Sequence, residues 1–293
     1  MTLLLTGGTG YLGSRLARML VDDGHDLVLL KRSTSDCSRL SELPSAVRMF
    51  DADRMALPAI FDQAGPVSAV IHTATCYGRN QETSPAVCEA NTLFPLRLLD
   101  AAVHAGVTRF INTDSGLPPQ VSPYALSKHQ FAEWGRFYAQ EGRISFINLK
   151  LEHFFGPDDD ASKFTTHLIR GCMDNRAEIP LTAGEQLRDF IHIDDVVAAY
   201  RCLISRLDCL EAGYADFGVG SGEPVKIREF AELVRDLTAS ATHLAFGVIP
   251  YRRHEVMKTC ADISGLVAQG WRPCMTLAEG LADTIAEERK KGQ

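Results

Sequence analysis

The first thirteen residues, MTLLLTGGTGYLG, constrain the fold more than any other stretch of the chain. Leu3 to Leu5 form a short apolar run suited to one buried parallel strand. Gly7, Gly10 and Gly13 then recur every third residue, and Leu12, Leu16, Met19 and Leu20 follow at helical spacing up to Gly24. A strand, a glycine turn and a helix in that order bring unpaired backbone N–H groups and the positive end of a helix dipole to one point. That point suits a pyrophosphate, because side chains at the glycines would hold the backbone away from the ligand. Gly7, Thr9, Gly10, Tyr11, Leu12 and Gly13 are therefore candidate contacts of a dinucleotide, the alternative being a turn that is glycine-rich only to be tight.

Strand signals continue at Asp26–Leu30, Val47–Phe50, Val67–His72 and Thr108–Asn112, with helical patterns between them. One of these covers Pro85 through Ala105 and holds Asn91, expected to bridge backbone groups between helix and sheet. The alternation predicts an α/β fold with a parallel, doubly wound sheet. At 293 residues the chain has room for one large domain or two interleaved ones.

The second strand runs into Lys31-Arg32-Ser33, where an NAD-selective site usually places an acid for the ribose hydroxyls. Two cations and a hydroxyl suit a 2′-phosphate instead, so NADP(H) is expected over NAD(H), a solvated basic loop being the alternative. Asp51, followed by Ala52, ends the third strand and is a candidate acceptor for the adenine amino group; an ordinary turn aspartate is the other reading. Small residues Thr73 and Ala74 after the fourth strand allow the backbone to lie against the cofactor, while His72 reads as a core histidine. The polar stretch from Cys76 to Ser84, with Tyr77, is expected to rim a substrate site.

The chemistry follows the fifth strand, in Thr113-Asp114-Ser115 and then Tyr124 and Lys128, four residues apart on one helical face. A free phenol titrates near pH 10, and lowering it by about 3 units means stabilising the phenolate by roughly 4 kcal/mol. The ammonium one turn away in a partly desolvated site, aided by a cationic nicotinamide, is expected to supply that, and Ser115 to hold the same substrate oxygen, with Thr113 as the runner-up hydroxyl.

Net charge is −7, which opposes general nucleic-acid or membrane-surface binding. Eight cysteines show no C-x-x-C pair and no zinc spacing, so reduced thiols and no metal are expected. No apolar run reaches transmembrane length, and the opening strand leaves no room for a signal peptide. The expectation is a cytoplasmic protein with neither a membrane nor a nucleic-acid partner.

The combination of the Thr6–Gly13 turn, a strand-end serine and Tyr124-x-x-x-Lys128 resembles the extended short-chain dehydrogenase/reductases. The likeness continues through Leu149–Pro157, Arg188–Asp195 and Gly270–Pro273. It implies a Rossmann domain with a smaller, mostly C-terminal lobe for a nucleotide-linked sugar: 1–160 with a returning segment near 188–208, and 161–293 interleaved with it. By the resemblance Ser115, Tyr124 and Lys128 are catalytic, Lys128 also holds the nicotinamide ribose, and Arg188 and Arg252 hold the substrate diphosphate. Lys163 and His153 join the candidate substrate contacts, a packed histidine being the alternative for the latter. Ile179–Gly184 reads as a loop for the base, and the three acids at 158–160 as a solvated helix N-terminus. The sugar-nucleotide dehydratases of the family carry Thr-Asp-Glu where this chain has Thr113-Asp114-Ser115, which disfavours dehydration. A finer resemblance, through Phe110–Ser115, Ser162–Thr166 and Gly184–Phe190, is to the CDP-3,6-dideoxyhexose synthases, which are 4-ketoreductases. It implies NADPH-dependent reduction of a nucleotide-linked 4-keto-deoxyhexose by a homodimer. A 4-epimerase with tightly held NAD and a non-catalytic NADP-binding sensor are the rival readings.

Overall fold

The computed structural model describes residues 1–252 and 254–291. In chain order the strands are β1 (Thr2–Thr6), β2 (Asp26–Lys31), β3 (Arg48–Asp51), β4 (Ala69–His72), β5 (Arg109–Ser115), β6 (Ser145–Leu151), β7 (His153–Phe155), β8 (Glu178–Leu181), β9 (Leu187–Arg188), β10 (Phe190–His192), β11 (Tyr214–Val219), β12 (Val225–Lys226) and β13 (His243–Phe246). The helices are α1 (Tyr11–Asp22), α2 (Leu57–Ala64), α3 (Ser84–Cys88), α4 (Phe94–His104), α5 (Pro123–Gln140), α6 (Phe164–Met173), α7 (Ile193–Ile204), α8 (Ile227–Thr238), α9 (Ser264–Ala268) and α10 (Leu277–Lys291).

One compact unit comprises Met1–Lys150 with Tyr200–Phe217, and the other Leu151–Ala199 with the chain from Gly218 onward. The expected boundary at 160 falls ten residues later than this one, and the expected return at 188–208 covers only the start of the observed 200–217. The reason is pairing that periodicity does not reveal: β7 aligns in parallel with β10, His153 opposite Phe190, and so leaves the first unit early.

The first unit is built on a seven-stranded sheet of order β11-β6-β5-β4-β1-β2-β3. β1 pairs in parallel with both β2 and β4, and β4 with β5. The three consecutive leucines of β1 are fully buried, as a strand covered on both faces requires. Leu98, Leu99, Phe110, Phe131 and Phe146 pack in the core between sheet and helices. Phe110 stacks on Phe146 at 5.4 Å, and Phe131 meets both edge-on. A Cβ at Gly135 would lie 2.3 Å from the Phe146 ring, so the missing side chain is what lets α5 sit this close to β6.

The helix expected from Pro85 to Ala105 is interrupted: α3 passes into a π-turn at Glu89–Leu93 before α4 resumes. Pro95 has no N–H for the Asn91 carbonyl and its ring would crowd that carbonyl, so the extra residue of the π-turn relieves the clash.

The second unit has its own core of Phe155, Leu168, Phe190, Phe230 and Leu281, with Phe190 and Phe230 stacked at 4.0 Å. Two expectations change here. Ile179 to Leu181 belong to β8, in parallel register with β13, where a loop was expected. Asp159 is buried and paired with Lys163 at 2.9 Å, so of the three acids expected to be solvated only Asp158 and Asp160 are exposed. The terminal helix α10 buries Leu281 and Ile285 in the core and holds Arg170 through Glu288 at 2.9 Å. Among the described residues, no helix is long and apolar enough to cross a membrane.

Candidate active site

Because β5, β4 and β1 are neighbours in a parallel sheet, the chain leaves all three at the same edge. The glycine turn, Thr73-Ala74 and Ser115 emerge there together, the place where open α/β sheets bind ligands. Gly7 has φ +73°, and a Cβ on it would meet the Ala74 nitrogen at 2.5 Å. A Cβ on Gly13 would meet the Gly7 carbonyl at 2.1 Å, so α1 starts hard against the turn. Gly10 N–H donates to the Gly7 carbonyl at 2.9 Å, while Gly10 itself is exposed, leaving its Cα side open to a ligand. Thr73 is fixed by its hydroxyl, which donates to the Thr6 carbonyl at 2.7 Å. Tyr11 at the first position of α1 lies beneath the guanidinium groups of Arg15 and Arg39, at 5.0 and 5.6 Å. Nothing in the sequence pointed to Arg39, since its approach depends on tertiary folding.

At the end of β2 the expected contacts are engaged with each other. Lys31 Nζ lies 2.5 Å from Asp51 Oδ1, which raises the lysine pKa, and Ser33 donates both N–H and hydroxyl to Asp53 at 2.7 Å. Parallel pairing of β2 with β3 sets Lys31 opposite Asp51, and this register explains the pair. Arg32 is exposed, and its guanidinium makes no ion pair among the described residues.

Ser122 caps α5 by accepting from the Ala125 N–H at 3.1 Å, and Pro123 occupies the first turn, where its missing N–H costs nothing. This fixes where Tyr124 and Lys128 leave the helix. Ser115 Oγ, at the end of β5, accepts from Leu117 N–H at 3.2 Å, and the serine pulls the Tyr124 phenol pKa down. Thr113, the alternative hydroxyl, bonds instead to the buried Tyr200 hydroxyl at 2.5 Å. Asp114 accepts from Asn148 at 2.9 Å and from Ser115 N–H at 2.8 Å, which holds its carboxylate inside the sheet network.

Burial holds the Tyr124 phenol well above the usual tyrosine range, with Tyr77 and Asp114 acting the same way and Ser115 and Arg79 pulling it down. In the protein without cofactor the net shift is upward, opposite in sign to the acidic phenol expected beside an ammonium and a cationic nicotinamide. Desolvation dominates because the ring sits in a low-dielectric site. Burial also pushes Lys128 down to about 8, with Asp114 opposing it, and its Nζ has no hydrogen-bond partner among the described residues. An orphaned buried amine together with a cradle that any Cβ would fill is what a nicotinamide dinucleotide requires, with Lys128 facing a ribose diol and the Gly7–Gly13 turn a diphosphate. The residues present fit that cofactor.

His72 is fully buried, its Nδ1 2.7 Å from the Thr6 hydroxyl, and burial keeps it neutral, as expected of a core histidine. Asn91 does bridge elements: its amide clamps Cys76 N–H at 2.7 Å and Cys76 carbonyl at 2.8 Å, and reaches Ser127 on α5 at 3.0 Å. Tyr77, next along the chain, stacks against Tyr124 with ring centroids 5.0 Å apart.

In the second unit Arg188 is buried and pairs with Glu255 at 2.5 Å; burial lowers its pKa, and Glu255 opposes this. Arg252 is exposed, and Arg253 in the same basic cluster lies outside the described residues. Lys163 points at Asp159 and lies 3.9 Å over the Phe154 ring, so its charge is already matched. His153 packs edge-on against Phe190 at 5.9 Å, beside Glu152.

Residues 3–214 match the model of the NAD dependent epimerase/dehydratase family. The chain is 30% identical over 291 residues to a CDP-abequose synthase of Salmonella muenchen, covering 97% of both. It is 26% identical over 329 residues to a UDP-glucose 4-epimerase of Mycolicibacterium smegmatis, covering the whole of both. Among solved structures, the UDP-glucose 4-epimerase of Thermotoga maritima with UDP-glucose superposes over the full length of both chains with TM-score 0.87 at 21% identity. MoeE5 in complex with UDP-glucuronic acid and NAD superposes with TM-score 0.85 at 26% identity, over 99% of this chain and 100% of that one.

Proposed function

The chain belongs to the NAD dependent epimerase/dehydratase family, and on that premise we propose that it is an NADPH-dependent oxidoreductase reducing the 4-keto group of a nucleotide-linked deoxyhexose. The base is assigned as cytosine because the chain is 30% identical to a CDP-abequose synthase and 26% identical to the UDP-glucose 4-epimerase of Mycolicibacterium smegmatis. The observation that carries the reading is the trio Ser115, Tyr124 and Lys128 at the end of β5 and the start of α5, with the Lys128 amine buried and, among the described residues, without a hydrogen-bond partner.

The dihydronicotinamide would supply hydride to the keto carbon. Lys128 holds the adjoining ribose hydroxyls, which satisfies its orphaned amine. Ser115 donates a hydrogen bond to the keto oxygen, where negative charge grows. Tyr124 gives that oxygen its proton. The raised phenol pKa keeps the donor protonated at neutral pH but makes it a weaker acid, and Ser115 and Arg79, which pull that pKa down, act in the direction that helps the proton leave. Asp114, held by Asn148 and Ser115, is poorly placed to remove water from a sugar, which supports reduction over dehydration.

NADP(H) preference is assigned to Arg32, exposed at the end of β2 where no acid stands. Lys31 and Ser33, latched by Asp51 and Asp53, frame that loop, and Asp51 and Ala52 flank the adenine. Arg188 and Arg252 are assigned to the substrate diphosphate, Arg188 by leaving Glu255. Tyr77, His153 and Lys163 stay with the substrate as secondary contacts. The protein is assigned to the cytoplasm, where its thiols stay reduced. We also assign a homodimer, through a strip of exposed apolar residues, Leu93, Leu126, Trp134 and Phe137, on the π-turn and α5.

Titration of NADPH and NADH by nicotinamide fluorescence tests the cofactor. NADPH is expected to bind at least tenfold tighter, with Arg32→Asp abolishing the preference. Equal or tighter binding of NADH overturns it. The rival with a specific likeness behind it is 4-epimerisation, given the kinship to UDP-glucose 4-epimerases. It is distinguished by turnover without net NADPH oxidation and by NAD that co-purifies.

A further inference from the structure

Resting on the assignment of Tyr124 as proton donor, we propose that Tyr77 and Arg79 are positioning residues for it: the Tyr77 ring steadies the phenol ring, and the Arg79 guanidinium seated on Tyr77 favours the phenolate as the proton leaves. The Tyr77 and Tyr124 centroids are 5.0 Å apart with planes tilted by 35°, and the Arg79 guanidinium carbon lies 4.6 Å from the Tyr77 centroid. Cation, ring and tilted donor ring thus lie in sequence, with the Arg79 charge on the side of Tyr77 and acting on the donor through space.

Two features hold this arrangement together. Asn91 clamps both backbone groups of Cys76 and reaches Ser127, so the residue preceding Tyr77 is tied to the helix that carries Tyr124. Gly78, with φ +69°, reverses the chain between Tyr77 and Arg79, and a Cβ there would lie 3.3 Å from Val87 Cγ2. The sequence Tyr77-Gly78-Arg79 is therefore a built turn that returns the arginine over the ring. Tyr77 is 36% exposed, so core burial does not account for its place. Arg79 is also the cation that draws the phenol pKa down against burial.

The test compares Arg79→Gln, Tyr77→Phe, Tyr77→Ala and the double variant Tyr77→Ala/Arg79→Gln, using a CDP-linked 4-keto-deoxyhexose with NADPH. Arg79→Gln is expected to lower kcat roughly three- to tenfold, the worth of one partly screened charge at this range, with KM for both substrates unchanged. With the CDP-linked alcohol and NADP⁺, where the phenolate is the base, the rising limb of the pH profile moves to higher pH in that variant. Tyr77→Phe retains more activity than Tyr77→Ala, Tyr77→Ala loses as much as Arg79→Gln, and the double variant loses no more than the worse single, since one acts through the other. Strictly additive losses, or a rise in KM with unchanged kcat, overturn the proposal. Tyr124→Phe separates the two levels: if it retains full activity, the donor assignment fails, whereas if it is dead and Arg79→Gln is unaffected, only the positioning proposal fails. Without turnover, the ¹³Cζ resonance of Tyr124, identified by its loss in Tyr124→Phe, is expected to shift in Arg79→Gln and not in Arg54→Gln; an unmoved resonance overturns it equally.

Discussion

Lys128 is a cation buried with no hydrogen-bond partner among the described residues, and until something pairs with it the folded state is less stable for its presence. Its pKa falls from 10.5 to about 8 on folding, so below pH 8 it is charged in both states and the full penalty applies, about 3 kcal/mol. Between about pH 8 and 10.5 the unfolded chain holds a proton that the folded one has released, so stability rises with pH across that window. Lys128→Met is therefore expected to raise the melting temperature at pH 7 in the absence of cofactor, the advantage shrinking toward pH 10.5, while turnover is lost. A variant less stable than the parent at pH 7 contradicts this. The two candidate hydroxyls divide the same way. Ser115→Ala is expected to cost about 10²-fold in kcat. Thr113→Val loses the bond to Tyr200 and about 1 kcal/mol of stability, with kcat nearly unchanged. The sequence ranked Ser115 ahead of Thr113, but the partner that engages Thr113 was beyond it, because Tyr200 is far along the chain and only the fold brings its hydroxyl there. The reach of Arg79 was hidden for the same reason.

At the level of elements, the segment from α3 through the π-turn to α4 does more than cover the sheet. Its π-turn presents Asn91 to the β4 loop and to α5 at once, with both ends of the amide engaged. Asn91→Ala is expected to lower unfolding free energy by about 3 kcal/mol in a denaturant titration, since the Cys76 N–H and carbonyl lose their buried partner. A change below 0.5 kcal/mol counts against the clamp. The parallel alternation and the strand–glycine–helix start were legible because periods of 2 and 3.6 are local properties of the chain. The π-turn was not, since Pro95 within a helical pattern permits either a kink or an inserted residue. Nor was the strand at Ile179, whose partner β13 lies some sixty residues on.

Across the whole molecule, apolar patterning located both cores without revealing where the chain crosses between units, because a strand such as β7 is equally apolar in either. The exposed strip of Leu93, Leu126, Trp134 and Phe137 is expected to be covered by a second copy of the chain. Trp134→Glu with Phe137→Glu should halve the mass measured by light scattering and leave the circular dichroism spectrum intact; a parent already monomeric contradicts the assignment. The central claim, that Tyr124 hands a proton to a carbonyl as NADPH is oxidised, is tested most directly by one comparison. NADPH consumption and sugar product are followed with a CDP-linked 4-keto-deoxyhexose for the parent and for Tyr124→Phe, with NADPH affinity measured in both. The account predicts one NADPH oxidised per alcohol formed, a loss of 10² to 10⁴ in kcat for the variant, and unchanged NADPH binding. Undiminished reduction by Tyr124→Phe, or product formed with no NADPH consumed, would contradict it.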